Sequence, residues 1–428
     1  MENIQLLTLD NNINVLICND NRTDLILSSV NISVGSNTET PNIAGLAHVC
    51  EHVLFSNKYK NHNITNELHD KSNLFNAGTS YDQTYYYILS YKDEICNSID
   101  MLHNIYTESS FLEEDLEKEK RIVIEEYHMT MNYVTHMLKN MYSYLFGKEG
   151  GSKMITIGTL ETIKSFTKKH ITEFKRQYLP ELTTLIFLGN IKNDLLIESL
   201  KKTFGTVKNN KEVSNGIINY KPTFVNTESY IKYYPNTMDS SSQCVILLAF
   251  KSFPMFDVNN VATDLITYTL NNFILFNKLR LEKGTTYSSK TYNFCNKNHG
   301  LFMFNTSVEF KYLMIVLSTL ADIFKDIKQN GISDDYIKRS VKKIRMSNDL
   351  NFLNFTNYHM WYNSVAIATR ELSKFYTPEQ YLNKCENTTS NDIKLVANKL
   401  FNPKECYIEI IGPTFPYAHL LAEFFLKF

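Results

Sequence analysis

The stretch His48-Val49-Cys50-Glu51-His52 sets two imidazoles four residues apart. On a helix, residues four apart project from one face. Two nitrogens so placed can meet one tetrahedral zinc ion. Glu51 follows His48 by three residues and shares nearly the same face. It cannot easily join the metal, but its carboxylate can reach a water there and take its proton. The order H-x-x-E-H is the inverse of H-E-x-x-H. The spacing predicts one Zn2+ per chain, with Glu51 as general base.

A catalytic zinc needs a third protein ligand and an open position. The stretch 116–129, LEKEKRIVIEEYHM, offers one on a separate element. Glu119 and Glu126 lie seven residues apart, two helical turns, and share a face. Glu126 could ligate the metal while Glu119 stands behind, orienting a histidine or the carboxylate. Ile122, Val123 and Ile124 are expected to pack the neighbouring side. Taken alone, Glu and Lys near a helix start are an ordinary solvated face favoured by the helix dipole.

These residues need a scaffold, and the chain supplies strand, strand, strand, helix. Residues 4–9 and 13–18 are short apolar runs split by Asp10-Asn11-Asn12, a hairpin signal. Val30, Ile32 and Val34 alternate with Asn31 and Ser33, which predicts a half-buried strand. Thr40-Pro41 predicts an N-cap and first turn for a helix running through Phe55. Residues 73–90 are rich in strand formers. From Leu112 to Phe146 no Gly or Pro occurs, which predicts one long helix or two, ending at Gly147.

The second half repeats this order. A strand is expected at 242–250, a helix at 258–278, a hairpin at 284–309, and two helical stretches split at Asn330-Gly331. Aligning residues 53–55 with 274–276 gives an offset of 221 and brings the long helices into register. At that offset His48, Glu51, His52 and Glu126 face Thr269, Asn272, Phe273 and Ser347. The expected class is α+β, two homologous α/β-sandwich-like domains, each a mostly antiparallel sheet packed on helices. Residues 1–207 form the zinc domain, 208–228 a polar linker, and 229–428 the metal-free domain.

Together the motifs resemble the pitrilysin family of zinc peptidases, whose members carry H-x-x-E-H and, roughly 75 residues later, E-x6-E. Here His52 to Glu126 is 74 positions and Glu119 to Glu126 fits E-x6-E. The resemblance implies that Glu126, not Glu125, binds zinc. Asn76-Ala77-Gly78-Thr79 with Thr84-Tyr85-Tyr86 is similar to the family's N-A-x-T…T-x-Y edge strand. That implies Asn76 and Ala77 pair with substrate backbone, a mode with little sequence demand. Gly158, residues 163–166, Tyr178, Pro180 and Gly189-Asn190 resemble the end of the family's first domain. Leu279-Arg280 and Tyr287 are similar to its L-R-x6-Y element, which implies that Arg280 and Tyr287 reach the substrate and its scissile carbonyl. Such groups are suitable donors to a developing oxyanion.

The implied activity is metalloendopeptidase cleavage of peptides or unfolded segments. A chain this long is half a four-domain member, so the resemblance implies a homodimer or a heterodimer with a related chain. Arg280 and Tyr287 would then serve the partner's zinc. A catalytically silent scaffold of the same fold typically loses H-x-x-E-H, and every element of it is present here. Cys50 inside the motif is read as a packed core cysteine.

Composition bounds the partners. Net charge is −1 and charged residues are 21 %, which gives no reason to expect nucleic acid or an anionic membrane. No apolar run reaches membrane-helix length. Seven cysteines without a C-x-x-C pair argue against a disulfide framework. The first residues, MENIQLLTLDNN, read as neither signal nor transit peptide. An intracellular, soluble, cytoplasmic protein is expected.

Overall fold

Two apolar runs split by a polar turn build the first hairpin of the computed structural model. β1 (Asn3–Thr8) pairs antiparallel with β2 (Asn14–Asn19). Asn12 turns the chain at φ 71°, a conformation asparagine adopts more readily than most residues. The structure describes residues 3–60, 62–71, 73–209, 223–226, 228–235, 242–354, 357 and 376–414. They fall into two units. One takes its residues from 1–130, 148–221 and 351–375, the other from 131–147, 222–350 and 376–428. Most of the expected linker, 208–228, lies outside the described residues.

The first unit is built on a six-stranded sheet. To β1 and β2 it adds β3 (Leu25–Ile32), β6 (Leu74–Thr79), β7 (Thr84–Tyr91) and β8 (Thr183–Gly189). Two two-residue strands, β4 (Lys58–Tyr59) and β5 (His62–Asn63), form a separate ladder. The sheet order is β1-β2-β8-β3-β7-β6, so β6 is an edge. Only the β2–β8 pairing is parallel. The helices in this part of the chain are α1 (Leu46–Leu54), α2 (Ile64–Asp70), α3 (Ile95–Thr107), α4 (Glu113–Thr130), α5 (Tyr133–Lys153, most of which belongs to the second unit), α6 (Leu160–Ser165), α7 (Lys168–Lys175) and α8 (Asn193–Lys202). Val15, Ile17, Ile26, Val30, Tyr86 and Phe187 of the sheet share one core with Val49, Val53, Ile99, Leu102 and Ile171 of the helices.

The second unit repeats the plan with β9 (Tyr230–Pro235), β10 (Gln243–Ser252), β11 (Thr286–Cys295), β12 (Gly300–Glu309) and β13 (Tyr407–Gly412). Its order is β11-β12-β10-β13-β9. The β13–β9 pairing is again the parallel one. β9, β13, β10, β12 and β11 thus answer to β2, β8, β3, β7 and β6. Helices α9 (Asn260–Thr269), α10 (Leu313–Asn330), α11 (Asp334–Phe352), α12 (Pro378–Glu386) and α13 (Ser390–Leu400) follow the same logic. Two π-helical turns, Leu270–Ile274 and Phe276–Leu281, continue α9. The first 17 residues after α4, 131–147, group with this unit although they precede it in the chain. There Asn140 Nδ2 donates to Glu409 Oε1 at 2.9 Å, and Tyr144 packs on Tyr230.

Three expectations change. β3 is not half-buried: Ser28, Ser29 and Asn31 are all 0 % exposed. Asn31 Nδ2 donates to Ser29 Oγ and to the Thr184 carbonyl, so the amide nitrogen enters the interior with partners. The helix does not start at Thr40-Pro41, which opens only a short 3₁₀ turn; α1 begins at Leu46, after Gly45 at φ +92°. Of the three residues 122–124, Val123 is buried, but Ile122 faces solvent. Gly147, non-helical at φ 71° and ψ 175°, ends the helical run from Tyr133 as expected, and a second short run follows it to Lys153. Among the described residues no helix is long and apolar enough to cross a membrane.

Candidate metal centre

The site begins at the seat of α1. Glu39 is buried, and its two oxygens accept from Gly45 N at 2.8 Å and Ala47 N at 2.7 Å. It therefore satisfies helix-start N–H groups that a local cap would otherwise serve. Burial pushes its carboxyl up to about 8, against those N–H groups and the Lys153 charge. Gly45 admits another close approach: a Cβ there would stand 2.7 Å from the Ile157 carbonyl oxygen. Across from it, a Cβ on Gly158 would stand 2.2 Å from the Ala44 carbonyl oxygen. Two glycines thus let the chain before α6 seat the start of α1.

From α1, His48 and His52 face α4, which packs on α1 and buries Leu116 and Val123 in the shared core. One ligand atom from each of His48, His52 and Glu126 lies within 4.8 Å of the others. Glu126 Oε2 is 3.6 Å from His48 Nε2 and 3.7 Å from His52 Nε2. Ligands about 2.1 Å from a tetrahedral zinc stand about 3.4 Å apart, so both carboxylate–imidazole separations are already near that spacing. On its other side, His52 Nδ1 stands 3.4 Å from Glu119 Oε2, and Ser56 Oγ donates to Glu119 Oε1 at 3.4 Å. That contact favours the tautomer with Nδ1 protonated and Nε2 bare toward Glu126. Glu125, next to Glu126, is exposed and outside the group.

The charges suit a cation. Burial, aided by the His52 charge, pushes His48 down to about 4, so its imidazole is neutral with a lone pair to give. Burial opposes protonation of His52, but the Glu119 hydrogen bond and the charges of Glu51, Glu126 and Glu119 outweigh it. His52 is thus held above its ordinary value. Two imidazoles and one carboxylate are also the donor set of a catalytic zinc site. The residues present fit zinc.

Glu51 lies beside this group, 8 % exposed, with its Oε2 accepting from Thr79 Oγ1 at 2.9 Å. Burial pushes it up to about 7; the His52 charge and the Thr79 bond oppose this, and the Glu126 charge adds to it. Thr79 ends β6, the edge strand that also carries Asn76 and Ala77. Asn76 Oδ1 accepts from Ala77 N at 2.8 Å, and Ala77 packs against the core. Cys50 is fully buried, and burial pushes its thiol up to about 12, an inert core sulfur.

Arg280 and Tyr287 meet in the second unit. The Arg280 guanidinium lies 4.9 Å from the centre of the Tyr287 ring, within cation–π range. Tyr287 is 84 % exposed. Both line a cleft of about 530 Å³ with Asn271, Phe276 and Lys290. In this unit the positions facing the metal group are differently filled. Thr269 and Ser340 hydroxyls bond each other at 2.8 Å. Lys343 Nζ donates to Asn272 Oδ1 at 3.1 Å and sits 5.1 Å from the Phe273 ring centre.

Glu39 and Thr79 were not singled out as site residues from the sequence. The N-A-x-T stretch contained Thr79, but nothing local tied it to Glu51. Glu39 precedes its helix by seven residues, beyond any capping signature.

Comparison with known proteins agrees along most of the chain. The insulinase (peptidase family M16) model matches residues 14–156, and the M16 inactive-domain model matches residues 165–344. An uncharacterized zinc protease of Rickettsia felis is 24 % identical over 96 % of this chain and 98 % of its own. The uncharacterized zinc protease YmxG of Bacillus subtilis is 25 % identical over the same shares. A Helicobacter pylori protease structure superposes with TM-score 0.84 at 18 % identity, covering 96 % of this chain and 100 % of that one. The periplasmic protease PqqL of Escherichia coli gives TM-score 0.78 at 16 % identity, with 99 % of this chain matching 50 % of that one. With a metal-type ligand set in the first half and family models matched in both halves, the chain belongs to the peptidase M16 (insulinase) family.

Proposed function

We propose that this chain is a zinc-dependent endopeptidase that cleaves extended peptides or unfolded segments. The observation that carries the reading is the convergence of His48, His52 and Glu126 from two packed helices, with the Glu51 carboxyl beside them. Zinc bound there would supply a Lewis acid that polarises the scissile carbonyl and makes water acidic enough to deprotonate near neutral pH. Glu119 orients His52. Glu51 takes the proton from water and later passes it to the leaving amine. The free edge of β6, at Asn76 and Ala77, receives the substrate main chain as an added strand. Purified protein is expected to hold one zinc per chain and to cleave a quenched peptide. A chelator should stop cleavage and added zinc restore it. Cleavage that persists in metal-stripped protein would sink the proposal.

Arg280 and Tyr287 act as donors to the developing oxyanion, and we place them at a partner chain's zinc in a dimer. The support is that PqqL carries about two such lengths in one chain. Complementation tests this. Glu51→Gln and Arg280→Ala chains, each inactive alone, should regain activity when mixed, because one site in the mixed dimer is whole. No recovery after subunit exchange would place Arg280 elsewhere.

A further inference from the structure

Thr79 is held with unusual firmness for the last residue of an edge strand. It pairs with Thr84 across the β6–β7 hairpin. Ser80 N donates to the Gln83 carbonyl at 2.8 Å to close the turn, and Thr84 Oγ1 donates to the Val34 carbonyl at 2.9 Å. Beside it Gly78 pairs with Tyr85, and a Cβ on Gly78 would stand 2.6 Å from the Tyr85 hydroxyl oxygen. Gly78 therefore lets the Tyr85 side chain lie close over the strand. From this fixed position the Thr79 hydroxyl gives its one proton to Glu51 Oε2.

We infer that Thr79 is a positioning residue for Glu51. A hydroxyl has one donor, and spending it on Oε2 leaves Oε1 with its lone pairs free for proton transfer. An untethered carboxylate would rotate about its last bond, a broad and weakly restrained torsion. The tether fixes which oxygen faces the reaction, and it does so from the strand that receives the peptide. Substrate backbone and base are then registered by one hydrogen bond to a common strand. Preorganisation of this kind acts on the chemical step more than on binding.

The inference rests on the endopeptidase reading. The test uses full-length Thr79→Val, which keeps shape and loses the donor, with Thr79→Ala as a second variant and Thr79→Ser as the conservative one. Zinc content, thermal midpoint, kcat and KM are measured with a quenched peptide. Thr79→Val and Thr79→Ala should lower kcat by about tenfold to a hundredfold, with zinc content and KM close to wild type. Thr79→Ser should recover kcat to within a few-fold. The inference is overturned if kcat holds in Thr79→Val, if the loss falls on KM or zinc instead, or if Thr79→Ser fails as Val does. Wild-type protein without zinc-dependent cleavage overturns the endopeptidase reading itself. Cleavage that needs zinc and Glu51 yet is indifferent to Thr79 overturns only this inference.

Discussion

Glu51→Gln is expected to keep its zinc and to lose about a thousandfold in kcat, in the middle of the range for a positioned acid–base group. Glutamine has nearly the same shape, and its side-chain oxygen can still accept from Thr79. The donor set of His48, His52 and Glu126 is untouched. What disappears is the ability to take a proton. The environment fits a base held in place: Glu51 is 8 % exposed and tethered by the Thr79 hydroxyl beside the ligand group. Metal analysis and single-turnover cleavage on the same preparation decide the matter. Wild-type cleavage by a zinc-loaded Glu51→Gln protein would remove Glu51 from the mechanism. The loss of zinc would instead make Glu51 a ligand.

The parts of this site that were legible in the sequence are those set by the helical period. His48 and His52 meet because 3.6 residues make a turn, and Glu119 and Glu126 meet for the same reason over two turns. The repeat was legible too: at the 221 offset Glu113–Thr130 lands on residues 334–351, against an observed α11 of Asp334–Phe352. What spacing could not supply was contact between distant segments. The burial of Asn31 depends on Thr184, 153 positions away. The start of α1 depends on Gly158 and Glu39, so the local signal Thr40-Pro41 gave the wrong first turn. The parallel β2–β8 pairing joins strands more than 160 residues apart and leaves no local mark.

The same logic explains why the second half reads as metal-free even without a family comparison. Substituting the ligands alone would have left a polar hole beneath a helix, and unpaired buried polar groups are costly. In the second unit the matching positions are partnered among themselves. Thr269 and Ser340 satisfy each other, and Lys343 lies against Asn272 and the Phe273 ring. The second copy thus keeps the packing with Thr269, Asn272, Phe273 and Ser347 where the first carries His48, Glu51, His52 and Glu126.

Zinc affinity should separate three of the glutamates of α4, Glu119, Glu125 and Glu126, into three grades. Glu119→Gln keeps every ligand but weakens the partner of His52 Nδ1, and should cost about 10–100-fold, as loss of such outer partners does. Glu126→Gln removes the carboxylate that stands 3.6 Å and 3.7 Å from the two imidazoles, and should cost more than that, with activity lost alongside. Glu125→Gln changes an exposed side chain next to Glu126 and should stay within about twofold, the scale of an ordinary surface substitution. Competition with a zinc-sensitive chelating dye measures all three under one condition. The order matters more than the values. On an α-helix, neighbouring residues are turned about 100° from each other, so Glu125 and Glu126 cannot both face α1. If Glu125→Gln proved the damaging one, α4 would have to be rotated by that angle, and Val123 would no longer be the residue it buries against the core.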